Sequence, residues 1–216
     1  MTAADDYQPI DMARIREIIG YPPALIADKK TDHITEFAHR FIGHSTFFVL
    51  ASVDADGGVD ASPKGDPPGS VKVLDPWTIA IPDRPGNRGI DTFTNLMTRP
   101  GVGLIMLVPG VTETLRINGD AFVTDDPDLL GQLSAGGRPA QLATVVRVRE
   151  VYFQCGKALI RSHLWDPDLE LADALLTGGD YYQLAIADMG QKLAAAGLSP
   201  DTLAELAAHE YRTKLF

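Results

Sequence analysis

The chain has 216 residues, enough for one well-filled globular domain with helical additions and too few for two large domains. Apolar residues make up 45% of it and charged residues 22%, which excludes a fibrous or wholly disordered protein. The formal net charge of −10 leaves little basic surface for nucleic acid. We therefore expect a small-molecule partner.

No segment of the sequence is expected to enter a membrane. The longest apolar run, residues 101–108, is far shorter than the roughly 20 residues that a spanning helix needs. The first ten residues lack the basic and apolar regions of a secretory signal. Cys155 is the single cysteine, so neither an intrachain disulfide nor a Cys-rich zinc site can form, and we expect no metal site and a cytoplasmic location.

Two helices are predicted before the first strand. Residues 11–19 carry apolar side chains at helical spacing, and Gly20 followed by prolines ends that helix. A second helix is expected to begin after Thr31 or Asp32, either of which can cap it, and to run to Gly43. Both helices are amphipathic, so each is expected to lay one face on other parts of the protein.

Four predicted strands follow with no long helix between them, at residues 46–53, 59–62, 71–74 and 77–81. Turn sequences at residues 56–58 and 75–76 join the members of each pair, so two hairpins are expected. Between the hairpins lies a segment rich in glycine and proline, residues 63–70, which we predict to be a loop.

The second half of the chain adds a helix, three longer strands and a helical end. A helix is predicted over 87–98, strands over 102–108, 113–124 and 142–153, and further helices over 126–133, 185–195 and 200–214. About six or seven antiparallel strands with one inserted helix predict a closed or half-closed β-barrel, because such a sheet must bury one face and protect its edges.

Two stiff loops carry an unusual share of the cations. Residues 62–69 and 81–88 each leave the end of a predicted strand and are rich in proline and glycine. If those strand ends are neighbours, Lys64, Arg84 and Arg88 converge. Several cations at one strand end favour binding of an anion such as phosphate.

The predicted helix over 87–98 adds further donors, namely the Asn87 side chain and the amides of its first turn. Residues 61–119 hold six cations against five anions, although the whole chain is strongly acidic. The alternative interpretation is that Arg84 pairs with Asp83 in an ordinary surface turn. Spacing alone leaves both interpretations open.

Longer motifs in this region resemble a known family. They are SPKGD at residues 62–66, AIPDRPGNRGIDTFTNLMTRPGVGLIMLVPGVTETLRINGDA at 80–121 and CGKALIRSHLW at 155–165. Together they resemble the pyridoxamine 5′-phosphate oxidase-like, FMN-binding split-barrel superfamily, in a branch of FMN-dependent flavoproteins. The resemblance covers residues 33–166 and depends on the order strand, anion loop, helix, strand and ETLRxNG strand.

The resemblance implies a β+α fold and a cofactor shared between subunits. The fold would be an antiparallel split β-barrel of about six strands with an inserted helix. Residues 1–30 would form an N-terminal helical extension, residues 31–166 the FMN-binding barrel, and residues 167–216 a C-terminal helical extension. The protein would be a homodimer with FMN at the subunit interface.

The resemblance also implies roles for individual residues. Lys64 would face the FMN phosphate and ribityl chain with Asn87 and Arg88, and Glu113 and Thr114 would reach the flavin of the opposite subunit. The full set of implied cofactor-binding residues is Ser62, Pro63, Lys64, Gly65, Ala80, Ile81, Pro82, Arg84, Asn87, Arg88, Glu113, Thr114, Lys157, Arg161 and Trp165. Ile81 and Pro82 would lie along the isoalloxazine ring.

The leading functional hypothesis is an FMN-dependent oxidoreductase that passes a hydride or electrons between a reduced nicotinamide or small-molecule donor and an acceptor. FMN is then the electron carrier, so no catalytic side chain is assigned. Pyridoxamine phosphate oxidation itself is disfavoured, because the family's basic C-terminal segment is replaced by an acidic and neutral helical pair. The alternative is a protein that binds or senses FMN, F420 or haem without turnover.

Overall fold

The computed structural model describes residues 2–23, 28–86, 88–168 and 171–177, together with residues 181, 199, 201, 202, 205, 208, 209 and 211. The chain divides into two compact units, Met1–Lys30 and Thr31–Phe216. The boundaries predicted from the resemblance, with a C-terminal extension from residue 167, stay a prediction.

The first unit contains a short 3-10 helix, Ala3–Asp6, and helix α1, Met12–Ile19. The predicted helix over 11–19 is thus confirmed. Asp11 caps it, because its carboxylate accepts a hydrogen bond of 2.8 Å from the Arg14 amide. Gly20 ends it with a φ of 75°, a backbone conformation that glycine adopts at little cost.

The second unit is built on one seven-stranded sheet in which every neighbouring pair is antiparallel. The strands are β1 Phe47–Val53, β2 Val59–Gly65, β3 Lys72–Asp75, β4 Thr78–Pro82, β5 Gly101–Leu107, β6 Thr114–Thr124 and β7 Ala143–Gln154. Their order across the sheet is β2-β1-β5-β6-β7-β4-β3.

Among the described residues, five helices with defined bounds accompany the sheet: α2 Glu36–His44, α3 Asp91–Thr98, α4 Pro127–Gln132, α5 Lys157–Ser162 and α6 Leu171–Leu175. The fold is therefore the predicted β+α split barrel, with seven strands instead of about six. The helix predicted over 185–195 lies outside the described residues. Each described residue from 201 to 211 is helical, as predicted for the last helix.

The core lies on one face of the sheet because alternate side chains of each strand point to it. On β1, Phe48 and Leu50 are 3% and 1% exposed, whereas Phe47, on the other face, is 43% exposed. Helix α2 covers the core with Phe41 and Ile42, which are equally buried. Burial of this many large apolar groups accounts for most of the stability of the barrel.

Helix α2 begins later than predicted. Its cap is Thr35, whose hydroxyl accepts a hydrogen bond of 3.3 Å from the Ala38 amide, and not Thr31 or Asp32. Thr31 instead exchanges two backbone hydrogen bonds with Val151 on β7, of 2.9 and 2.8 Å. A residue held extended by a distant strand cannot start a helix, so the prediction from local sequence was wrong here.

Two boundaries near the cationic loops also differ from the prediction. Strand β2 continues to Gly65, through Pro63, which pairs with Val49. Proline is tolerated there because β2 is an edge strand and needs no amide hydrogen bond on its outer side. Helix α3 begins at Asp91 and not at residue 87, since Arg88 has a φ of 63°, outside the helical region.

Candidate functional site

A cavity of about 830 Å³ opens where the end of β2 meets the loop after β4. Its size falls within the range of small-molecule and cofactor sites. Eight residues predicted to bind the cofactor line it: Ser62, Pro63, Lys64, Gly65, Ile81, Pro82, Arg84 and Arg88. The two cationic loops are therefore brought together, as the sequence predicted.

Strand alternation decides which β2 side chains face inward. Ser62 and Lys64 pair with Leu50 and Phe48, two residues of the buried face of β1. Both Ser62 and Lys64 are half-buried, whereas the residues between and after them are exposed. Because β2 is an edge strand, its inward side chains are open to the cavity on one side.

An ion pair joins the two loops across the split of the barrel. The Arg84 Nε donates a hydrogen bond of 2.8 Å to Asp66 Oδ2, and the two side chains are 13% and 9% exposed. Arg84 therefore does not form the surface pair with Asp83 that was the alternative interpretation of this segment. Both partners line the cavity.

The pair is incompletely satisfied. Asp66 Oδ1 and Arg84 Nη2 are buried and have no hydrogen-bond partner among the described residues. Buried polar atoms are hydrogen-bonded in the great majority of proteins, and the exceptions gather at functional sites. The unsatisfied polar atoms indicate that the polar groups in this wall of the cavity serve function more than they serve packing.

A second carboxyl group faces the same cavity. Asp83 is half-buried, and burial raises the pKa of its carboxyl group, while the positive charges of Lys64 and Arg84 oppose that rise. Its backbone is held by the segment before β7, since its amide donates to the Leu142 carbonyl at 2.8 Å. Asp83 is therefore a cavity acid that is protonated more readily than an ordinary aspartate.

The start of α3 borders the cavity as well. Ile90 precedes the helix and provides no side-chain cap, so the amides of the first turn are not capped by that side chain. A smaller polar recess of about 120 Å³ lies at this turn, lined by Ser62 and Lys64 and by Thr92, whose hydroxyl donates to Asp60 at 3.1 Å. The carboxylates of Asp60 and Asp91 line the same recess and oppose binding of an anion there, so the net positive charge is confined to the larger cavity.

Two predicted residues on this side stand apart. Ala80 is fully buried in a small cluster with Leu133, Ala140 and Ala143, so its side chain does not line the cavity. Asn87 lies outside the described residues. Its predicted contribution at a helix start is not supported by the position of α3, which begins four residues later.

The remaining predicted residues form a separate group at the rim of the sheet, comprising Glu113, Thr114, Lys157, Arg161 and Trp165. None of them lines the cavity. The group is packed together through neighbouring backbone: Trp165 Nε1 donates to the Val111 carbonyl at 2.8 Å, and a Cβ on Gly156 would lie 2.6 Å from Thr112 Oγ1.

The separation of the two groups follows from the strand order. Gly65 pairs with Phe47, and Phe47 pairs with Leu107 on β5, whose next neighbour is β6 with Thr114 at its start. Three strand spacings of about 4.8 Å put Thr114 about 14 Å from Gly65 along the sheet. The rim group and the cavity are thus separate within one chain.

A family model for pyridoxamine 5′-phosphate oxidase matches residues 34–155, more than half of the chain. The chain belongs to the pyridoxamine 5′-phosphate oxidase family. The matched region begins in the segment before α2 and ends just after β7, so it contains the whole sheet, the cavity and most of the predicted cofactor-binding residues. No curated protein matches the sequence.

Several solved structures are similar to part of this chain, among them the following three. HupZ of Group A Streptococcus is 18% identical, with 56% of this chain and 93% of HupZ covered and a TM-score of 0.46. A candidate pyridoxamine 5′-phosphate oxidase of Lactobacillus delbrueckii is 28% identical, covering 57% and 98%, at 0.45. The FAD binding protein of Mycobacterium smegmatis is 9% identical, covering 57% and 97%, at 0.40.

Several cavity residues were not among the predicted site residues, in particular Asp66, Asp83, Phe93, Gln141 and Leu142. The two acids stand beside the cationic residues in the same loops, and that adjacency was a usable signal. No sequence signal indicated Gln141 and Leu142, because backbone hydrogen bonds to Asp83, which depend on the fold, place them at the site.

The described residues contain no cluster of three or more His, Cys, Asp or Glu side chains placed to hold a metal ion. None of the helices in the described part has both the length and the apolarity needed to cross a bilayer.

Proposed function

We propose that this protein is an FMN-dependent oxidoreductase that acts as a homodimer, with FMN bound at the subunit interface. It passes a hydride or electrons between a reduced nicotinamide or small-molecule donor and an acceptor such as oxygen. The observation that carries the proposal is the cationic cavity of about 830 Å³ in a chain of the pyridoxamine 5′-phosphate oxidase family.

The charges of the cavity fit a phosphorylated ligand. Three cations line it, Lys64, Arg84 and Arg88, against two carboxyl groups, Asp66 and Asp83. Asp66 neutralises Arg84, so the net positive charge that balances a phosphate comes from Lys64 and Arg88. Arg84 Nη2 has no partner among the described residues and is a further donor to the ligand. The uncapped first turn of α3 adds backbone donors at the same end.

The apolar wall of the cavity fits an aromatic ring system. Phe48, Val71, Ile81 and Phe93 line it together with the charged residues. A flat heterocycle that carries a phosphate on a flexible chain matches a site that combines apolar and cationic side chains. Among the described lining residues none is His, Cys, Met or Tyr, the usual side-chain ligands of haem iron, which favours a flavin over haem.

A second copy of the chain would complete the site. The outer face of the sheet is apolar around the row Pro63–Val49–Ile105 and the row Ala61–Ala51–Gly103. Ile105 and Phe47 on that face are 40% and 43% exposed. An exposed apolar face of this kind is typical of a subunit interface. We propose that a partner docks here and presents its rim group, including Glu113 and Thr114, to the ligand.

When bound, FMN supplies the electron transfer itself. The residues of this chain anchor its phosphate through Lys64 and Arg88, hold the ring against Ile81 and Pro82, and exclude water on the apolar side. Asp83 is the one acid of the cavity that is not in an ion pair among the described residues, so it is the group that can hold a proton beside the ligand.

The test begins with the absorption spectrum of the purified protein. We expect a flavin spectrum, or its appearance on addition of FMN, together with release of FMN on denaturation. Anaerobic addition of NADH or NADPH is then expected to bleach the flavin, and oxygen to restore it. Replacing Lys64 with alanine should abolish the spectrum, whereas Lys72→Ala, on β3 at the opposite edge of the sheet and outside the cavity, should retain it.

The outcomes separate the functional classes. A colourless protein that gains no absorbance or thermal stability with FMN overturns the proposal. A bound flavin that no nicotinamide or small-molecule donor reduces supports the alternative of binding or sensing without turnover. A spectrum characteristic of F420 or haem in place of FMN overturns the cofactor assignment.

A further inference from the structure

The ion pair between Asp66 and Arg84 does more than close a loop. The two residues leave different edge regions of the sheet, one just after β2 and the other just after β4, and they meet in the cavity wall. Arg84 donates through Nε and not through both terminal nitrogens, so the contact is a single hydrogen bond of 2.8 Å. One edge of its guanidinium is thereby fixed by Asp66.

Stability does not explain this arrangement. A buried ion pair recovers the cost of removing two charges from water only when its remaining polar atoms are also hydrogen-bonded. Within the part of the chain that the structure describes, Asp66 Oδ1 and Arg84 Nη2 have no such partner. The pair is therefore expected to add little to the stability of the fold. Its position in the cavity wall indicates a role in ligand binding instead.

We infer that Asp66 is a positioning residue that holds the Arg84 guanidinium in the wall of the cavity before the phosphorylated ligand binds; this inference rests on the proposed function. An arginine without such a partner would lose side-chain freedom on binding, and each rotamer-rich side chain that is immobilised lowers affinity. Because Asp66 orders the Arg84 side chain during folding, that conformational entropy is lost before the ligand binds, and the guanidinium is already in place.

Positioning by Asp66 and simple electrostatics predict opposite changes in ligand affinity for the same substitution. Asp66 and Asp83 both line the cavity, and replacing either with asparagine removes one negative charge near an anionic ligand. Charge alone predicts tighter binding in both cases. Positioning predicts weaker binding for Asp66→Asn only, because asparagine offers Arg84 Nε a weaker, neutral acceptor in place of the carboxylate, whereas Asp83 forms no hydrogen bond to Arg84.

The experiment measures the dissociation constant of FMN by quenching of its fluorescence in the wild type, Asp66→Asn, Asp83→Asn, Arg84→Ala and the Asp66→Asn/Arg84→Ala double variant. We expect Asp66→Asn to weaken binding about three- to tenfold and Asp83→Asn to tighten it. In the Arg84→Ala background, Asp66→Asn should tighten binding instead, since no guanidinium is left to position. Equal tightening by both asparagine variants in the wild-type background overturns the inference.

A ligand-free measurement separates this inference from the proposed function. Solvent exchange of the Arg84 Nε proton, followed by NMR, is expected to be slow in the wild type and fast in Asp66→Ala. Exchange in the wild type as fast as that of the exposed Arg161 overturns the inference whether or not FMN binds. Failure of the wild type to bind FMN overturns the proposed function instead, and the exchange measurement then decides the inference alone.

Discussion

The Asn95 side chain on α3 donates a hydrogen bond of 2.9 Å from Nδ2 to Ser52 Oγ on β1. The two residues are 6% and 1% exposed, so this polar contact lies inside the barrel. It fixes the inserted helix against the strand that also carries Phe48, a residue of the cavity wall. Helix α3 in turn sets the position of Ile90 and Phe93 at the cavity mouth.

Replacing Ser52 with alanine is therefore expected to lower the free energy of unfolding by about 1–3 kcal/mol, because the buried Asn95 amide is left without its acceptor. The double variant Ser52→Ala/Asn95→Leu should recover part of this loss, since neither polar partner remains. Urea denaturation of the three proteins measures the effect. A Ser52→Ala protein as stable as the wild type would contradict the importance of this contact.

Arg88 is the exposed cation at the cavity, and its backbone is left-handed, with a φ of 63°. That conformation costs about 1–2 kcal/mol for a residue with a Cβ and little for glycine. We expect Arg88→Gly to be more stable than Arg88→Ala by about 1 kcal/mol, as measured by thermal unfolding.

Both Arg88 variants are expected to bind FMN about tenfold or more weakly than the wild type, because a charge-assisted hydrogen bond to phosphate is lost. The glycine variant separates the backbone from the charge: it relieves the strain and still loses the guanidinium. Retention of wild-type affinity by Arg88→Gly would remove Arg88 from the phosphate site.

The Asp83 carboxyl group predicts a particular dependence of stability on pH. Burial raises its pKa in the folded state above the ordinary value of 3.8. The folded protein therefore binds the proton more tightly than the unfolded chain, and the contribution of this group to stability falls as pH rises from about 4 through the folded pKa. Asp83→Asn removes that dependence.

We accordingly expect Asp83→Asn to match the wild type in stability near pH 4 and to exceed it increasingly toward neutral pH. Thermal unfolding across that range gives the comparison. Asp75→Asn, at an exposed carboxylate at the end of β3, is the matched control and should show no such widening. A gap between Asp83→Asn and the wild type that is constant with pH would contradict the prediction.

Ile105, on the outer face of β5, tests the proposed interface. Arginine at this position should dissociate the homodimer and abolish FMN binding, although Ile105 does not line the cavity of its own chain. Met97, an exposed apolar residue of α3 at 68% exposure, provides the control, and Met97→Arg should leave the dimer intact. Analytical ultracentrifugation and FMN titration of both variants give the result, and a dimeric, FMN-binding Ile105→Arg would overturn the proposed interface.

Most of the elements were predictable from local sequence, for a physical reason. Strands β1, β5, β6 and β7 are rich in β-branched and apolar residues with turn sequences between them, and one buried face imposes a period of two. Helix α1 was equally predictable, since its stripe, its cap at Asp11 and its end at Gly20 are all local. The cationic loops also stand out in the sequence.

Partner choice was decided only by the tertiary structure. Thr31 is of a residue type that often caps a helix, but its backbone pairs with that of Val151. Arg84 follows Asp83 directly in the sequence, but its side chain pairs with Asp66. Local spacing cannot rank such partners, because the curl of the sheet determines which strand ends meet. The same curl separates the rim group from the cavity within one chain.

The sequence by itself determined the elements, the motifs of the family and the presence of three cations in two stiff loops, because each depends on residues that are near neighbours. The tertiary structure alone decided that the loops meet, that Asp66 holds Arg84 and that Asp83 shares their cavity. The physical reason is that these contacts are made across the split between distant strands, where only the twist and closure of the sheet bring the side chains within hydrogen-bond distance.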